Sequence, residues 1–116
     1  MKRVLLINPP DTRPPDMLVD KVRIALVPPL GLAYIAAVLE QNGVEVKILD
    51  CVAEGNGQSY PYWKTDIRYG LSDGSIGEHI ARFNPDIVGV SCLFYNKAFD
   101  AHNICRIAKE INPAIK

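Results

Sequence analysis

The chain has 116 residues, 48% hydrophobic and 22% charged, a balance that fits one soluble globular domain and excludes a disordered or fibrous chain. Thirteen basic and thirteen acidic residues leave a formal charge of zero, so the electrostatic footprint of a general nucleic-acid binder is missing. No apolar run is long enough to span a membrane, and Cys51, Cys92 and Cys105 form no C-x-x-C pair, zinc pattern or disulfide framework. They read as small buried thiols in a reducing compartment.

Arg3 to Ile7 is almost continuously aliphatic, as in a central strand covered on both faces. The start resembles a signal peptide, but Asn8-Pro9-Pro10-Asp11 cuts its apolar core short, so it reads as a first strand of a cytoplasmic protein. Pro9-Pro10 ends that strand because neither residue can donate a ladder hydrogen bond. Asp11 to Pro29 is a proline-punctuated connection, long enough to suggest a ligand-covering loop rather than an excursion.

Leu30 to Asn42 carries the clearest helix pattern, with Leu32, Ile35, Ala36 and Leu39 on one face. Small or apolar residues on the other sides predict a largely buried helix. Gly43 stands where a left-handed residue closes a helix, with Val44 able to supply the accompanying hydrophobic contact. Gly31, near the amino end, reads either as a point of close ligand approach or as a packing or turn glycine.

Glu45 to Asp50 forms the second strand. Asp50 at its end suggests a ribose-binding position, but no G-x-G-x-x-G precedes it, and capping of the following turn is favoured. Cys51 to Leu71 is the least regular region. Its aromatic group Tyr60-Pro61-Tyr62-Trp63 is read as fastening a loop to the body or meeting a partner, ahead of stacking on a planar ligand.

Ser75-Ile76-Gly77-Glu78 has capping-box spacing, with Ser72 as the alternative cap. Ile76, Ile80 and Phe83 mark a short amphipathic helix ending before Asn84-Pro85. The third strand runs from Asp86 to Ser91 and empties into small and polar residues, as a buried parallel strand does when its carboxyl-end loop handles a ligand. A last helix spans about Phe99 to Ile111, with Ile104, Ile107, Ala108 and Ile111 facing inward. His79 and His102 read as surface or core-edge residues, with metal ligation a minor alternative for His102.

Strands alternating with helices imply parallel pairing and right-handed crossovers. The fold expected is α/β: a Rossmann-like (flavodoxin-like) three-layer sandwich with a parallel sheet in the order 2-1-3, incomplete at its carboxyl end. Asn8-Pro9-Pro10, the Gly31-Leu32 end of the helix and Ser91-Cys92-Leu93-Phe94 then converge on one sheet edge. The third strand would be an apolar outer edge, which predicts self-association.

Four stretches in this order carry a family resemblance: Val4-Leu5-Leu6-Ile7-Asn8-Pro9-Pro10, Pro29-Leu30-Gly31-Leu32-Ala33-Tyr34-Ile35-Ala36, Gly43 to Asp50, and Asn84 to Cys92. Together they resemble the N-terminal domain of cobalamin-binding radical SAM proteins, a group of methyltransferases and of anaerobic cyclases and oxidoreductases. Tyr69-Gly70-Leu71-Ser72 looks like the latter group. Cobalamin-binding folds carry D-x-H-x-x-G after strand one, S-x-L after strand three and Gly-Gly after strand four. Ser91-Cys92-Leu93 matches S-x-L, and the resemblance implies that Ser91 lines the cavity for the nucleotide tail. Asn8-Pro9-Pro10-Asp11-Thr12-Arg13 replaces the first motif without a histidine, which implies base-off cobalamin with no histidine ligand from that loop. The Gly-Gly would fall beyond Lys116, so residues 1–116 are expected to be the N-terminal part of the domain.

The resemblance further implies a downstream radical SAM domain holding a [4Fe-4S] cluster and S-adenosylmethionine. Cys51, Cys92 and Cys105 cannot supply its C-x-x-x-C-x-x-C motif, and no metal ligands are assigned to this chain. The cofactor-binding residues implied are Asn8, Pro9, Pro10, Gly31, Leu32, Ser91, Cys92, Leu93 and Phe94. The alternatives are a degenerate Rossmann-like domain used for substrate docking or interdomain contact, and an independent flavodoxin-like or nucleotide-binding protein, the latter disfavoured by the missing phosphate glycines.

Overall fold

The fold was analysed in a computed structural model, which describes residues 2–14, 27–55 and 58–116. The aliphatic run Arg3–Asn8 forms β1, the central strand of a three-stranded parallel sheet. On one side lies β3 (Glu45–Asp50), in register from Arg3 opposite Glu45 to Asn8 opposite Asp50. On the other lies β6 (Ile87–Val90), running from Val4 opposite Ile87 to Ile7 opposite Val90. The order β3-β1-β6 is the expected 2-1-3.

Because side chains alternate along a strand, β1 feeds two cores. Leu5 and Ile7 pack with Leu49, Ile76, Ile80, Phe83, Ile104 and Ile107, beneath α3 (Asp73–Phe83) and α4 (Ala98–Ile111). Val4 and Leu6 pack with Leu32 and Ala36 of α1 (Leu30–Gln41) on the opposite face. Both faces of β1 are covered, which explains its unbroken aliphatic sequence.

Helix α1 ends as its sequence predicts. Gly43 has φ +75°, its N–H donates to the Glu40 carbonyl at 3.0 Å, and the Val44 N–H donates to the Leu39 carbonyl at 3.1 Å. This paired closure satisfies two carbonyls that the helix leaves without partners. The expectation that α1 is largely buried is overturned. Leu32 and Ala36 alone are buried, while Leu30, Tyr34, Ile35 and Val38 are at least half exposed. Among the described residues α1 packs on β1 and β3, so only the stripe facing those strands is covered. At α4 the inward face is Ile104, Ile107 and Ala108, whereas Ile111 lies at the rim.

At α3 the cap is Ser72, whose hydroxyl accepts from the Ser75 N–H at 3.1 Å, so the helix starts three residues before the capping-box reading placed it. Asn84 closes the same helix in the left-handed conformation.

The regions expected to be irregular hold a second sheet. β2 (Asp11–Arg13), β5 (Ile67–Tyr69) and β4 (Ser59–Pro61) pair antiparallel in the order β2-β5-β4. The part of the 11–29 connection read as a ligand cover lies mostly outside the described residues. A short helix, α2 (Cys51–Glu54), is capped by Asp50, which accepts from the Val52 and Ala53 N–H groups. The capping reading of Asp50 is thus the one observed.

Two glycines let this second layer approach α2. A Cβ on Gly55 would lie 2.4 Å from the Gly70 carbonyl carbon, and one on Gly70 would lie 2.5 Å from the Cys51 carbonyl oxygen. Gly70 also has φ +115°, a conformation that costs a non-glycine residue about 1–3 kcal/mol. Gly70→Ala is therefore expected to destabilise the domain by at least that amount, read as a lowered urea midpoint with an unchanged slope.

The outer edge of β6 is not bare along its whole length. Lys116 donates to the Asp86 carbonyl at 3.0 Å and accepts from the Val88 N–H at 2.8 Å, one step of a parallel ladder. None of the helices among the described residues is long and apolar enough to cross a membrane.

Candidate functional site

The carboxyl ends of β1, β3 and β6 lie side by side, so the segments that follow them leave from one edge. In open parallel α/β sheets this edge, where the chain turns in opposite directions from neighbouring strands, is where ligands bind. The Ser91 N–H donates to the Ile7 carbonyl at 2.9 Å and marks the point where the β1 and β6 segments part. Asn8 stands beside it, half-buried, with its amide donating to Asp50 at 3.0 Å.

Pro9 and Pro10 are buried and floor the β1 side. Ser91 is half-buried on the β6 side, and Cys92, Leu93 and Phe94 are exposed, with Leu93 at 81% and Phe94 at 66%. Gly31 lies at the amino end of α1, which the parallel crossover brings to the same edge. Among the described residues, a Cβ there would meet nothing within 4 Å. Leu32 points into the core instead.

The cysteines divide. Cys51 is buried, and burial first, then the neighbouring Asp50 carboxylate, pushes its thiol up to about 12, so it stays protonated. Cys92 and Cys105 are exposed, against the expectation of three buried thiols. Cys92 follows the end of β6, and Cys105 is on the outer side of α4, positions where neither helix nor sheet covers a side chain. Among the described residues no three His, Cys, Asp or Glu side chains gather as a metal site.

Beside the cleft lies a charge network that the sequence patterns did not reveal. Arg68, fully buried at the centre of β5, pairs with Asp73 at the start of α3 and with Asp100 in the first turn of α4 at 3.4 Å. Its Nε donates to Thr12 Oγ1 at 3.3 Å, and that hydroxyl donates to Asp100 Oδ1 at 2.7 Å. The Thr12 N–H donates to Asp100 Oδ2 at 3.2 Å. The Tyr62 ring lies under the Arg68 guanidinium at 3.7 Å, and its hydroxyl donates to Asp73 at 2.9 Å. Trp63 stacks on Phe99 with centroids 6.0 Å apart. The aromatic group thus fastens its loop to α4, as its favoured reading held.

Asp11 sits next in the chain, buried, bonded to Lys97 and paired with Arg13 at 2.6 Å. Burial acts to raise its carboxyl, but the bonds and charges of Arg13 and Lys97 outweigh it and hold the group below the usual 3.8. Asp100 goes the other way. Its burial outweighs the Thr12 bonds and the Arg68 charge and raises it. One sequence signal pointed here: Asp100 falls on the stripe it shares with Ile104, Ile107 and Ala108, a carboxylate on the core face of a helix.

A Rossmann-like domain whose parallel strands present their carboxyl ends along one edge is the class that fold and site define. The chain belongs to the B12 binding domain family, whose match covers residues 21–116. It is 44% identical over 114 residues to cytidylyl-2-hydroxyethylphosphonate methyltransferase of Streptomyces wedmorensis, covering 97% of this chain and 20% of that protein. It is 32% identical over 110 residues to an uncharacterized methyltransferase of Pyrococcus horikoshii, covering 95% of this chain and 19% of that one. The chain thus spans about a fifth of the length of the curated relatives it matches. No solved structure matches it.

The cleft fits a corrinoid on three observations. Among the described residues nothing lies within 4 Å of where a Gly31 Cβ would stand, the half-buried Ser91 brings a hydroxyl to the strand end, and exposed apolar side chains at Leu93 and Phe94 offer contact to a large ring.

Proposed function

We propose that this chain is the N-terminal, corrinoid-holding part of a longer cytoplasmic B12-dependent radical SAM methyltransferase or oxidoreductase. The observation that carries the reading is that a B12-binding domain match coincides with a parallel sheet at whose carboxyl edge Asn8 and Ser91 follow neighbouring strands. Bound cobalamin would supply methyl-transfer chemistry at its cobalt. This chain's own residues would do the holding. Pro9 and Pro10 give a rigid, buried floor, Gly31 leaves room for close approach, and Ser91 offers its hydroxyl to the nucleotide tail. Leu93 and Phe94 would lie against the ring and keep water from that face.

The Asn8-Pro9-Pro10 segment offers no imidazole, so the cofactor would be held base-off without a histidine from that loop. The [4Fe-4S] cluster and S-adenosylmethionine would belong to the downstream domain, and the relatives' length supports such a domain. The β6 edge beyond the Lys116 contact supports pairing with a further strand, from the following chain or a second copy.

Titrating the full-length protein with hydroxocobalamin is expected to give one equivalent bound with a base-off absorption spectrum. A folded protein that retains no corrinoid after gel filtration overturns the reading.

A further inference from the structure

We infer that Lys97 and Asp100 are positioning residues of the cleft: through Asp11 and Thr12 they clamp the segment after β6 to the segment after β1 and fix the width between them. The inference rests on the corrinoid reading of the cleft. The two segments are joined by backbone at the Ser91 N–H to Ile7 carbonyl bond and then separate. One continues through Asn8-Pro9-Pro10, the other through Cys92 to Asn96, whose residues are all exposed. They meet again where Lys97 donates to Asp11 and Asp100 accepts both the Thr12 N–H and the Thr12 hydroxyl. Each segment is therefore pinned at both ends, and Asn8, Pro9, Pro10, Cys92, Leu93 and Phe94 lie between the pins.

The carboxylates that close the clamp are withdrawn from water. Asp11 is 4% exposed and Asp100 1%. Behind them Arg68 supports Thr12 and Asp100 together, and Arg13 shares Asp11 with Lys97. A buried pair of this kind adds little stability over an apolar pair of the same size, because desolvation offsets its attraction. What it supplies that an apolar contact does not is a fixed direction and distance. Ordering a binding loop before the ligand arrives removes an ordering cost from binding.

The test uses the full-length protein with Lys97→Met and Lys97→Arg, each measured for melting temperature, hydroxocobalamin dissociation constant and amide exchange of residues 91–96 without corrinoid. Lys97→Met keeps the stem of the side chain and removes the charge. Its corrinoid affinity is expected to fall about tenfold, the scale of those ordering costs, with faster exchange across 91–96 and a lowered melting temperature, because the buried Asp11 keeps Arg13 alone of its two cationic partners. Lys97→Arg is expected to restore affinity and protection. Wild-type affinity in Lys97→Met overturns the clamp, as does a loss that Lys97→Arg does not recover. If the wild type itself binds no corrinoid, the cofactor reading fails, and the positioning role fails with it.

Discussion

Arg68→Met is expected to destabilise the domain by about 3–5 kcal/mol, the scale for removing one partner of a buried ionic group. The guanidinium is fully buried and is held by Asp73, Asp100 and Thr12, with the Tyr62 ring beneath it. Methionine fills much of the volume but answers neither carboxylate, and Asp100 is left 1% exposed with a charge facing a thioether. Burial already raises the Asp100 carboxyl, and losing Arg68 removes one of the charges that oppose the shift.

The same reasoning sets the control. Arg68→Met combined with Asp100→Leu takes the stranded carboxylate away with its partner and is expected to recover part of the loss. The recovery stays incomplete because the Thr12 N–H loses its acceptor and Asp73 keeps only the more distant Arg106, at 4.0 Å. Urea unfolding of the single and double variants measures both effects. A double variant less stable than Arg68→Met alone would show that Asp100 contributes through Thr12 rather than through Arg68.

This network also marks where sequence reading stopped. The parallel sheet was legible because its signals are local: β1 is aliphatic on both faces, Gly43 closes α1, and Pro85 restarts the chain before β6. The cleft residues Asn8 and Ser91 followed once parallel order was granted, since their position depends on topology alone. The second sheet was not legible. Asp-Thr-Arg, Ser-Tyr-Pro and Ile-Arg-Tyr are too short for a period of two to emerge, and the buried Asp11 and Arg68 draw partners from as far away as Lys97 and Asp100. Thr12 and Asp100 are 88 positions apart, so no spacing rule links them. The exposure of α1 was missed for a related reason. Its apolar composition was read as burial, but the strands beneath it cover one stripe and leave Tyr34 and Val38 outside.

Ser91→Phe is expected to abolish most corrinoid affinity while leaving the fold standing, and this separates a cofactor-holding domain from a degenerate one used for docking. Ser91 lies past the last residue of β6, half-buried and a member of neither core cluster. Its structural tie to β1 is its backbone N–H, which any residue other than proline retains. The melting temperature is therefore expected to move little. Overfilling a well-fitted site costs about 1–3 kcal/mol, which converts to about a 5- to 150-fold loss in affinity for hydroxocobalamin. Ser91→Ala supplies the other arm. It keeps the space and removes the hydroxyl, so its smaller loss reads the hydrogen bond to the nucleotide tail alone, about 0.5–1.5 kcal/mol. Equal binding by wild type, Ser91→Ala and Ser91→Phe would place the corrinoid away from the β6 end and move the cleft reading to the Gly31 side. A graded loss, with phenylalanine far below alanine, is what a ligand seated against the carboxyl end of β6 requires.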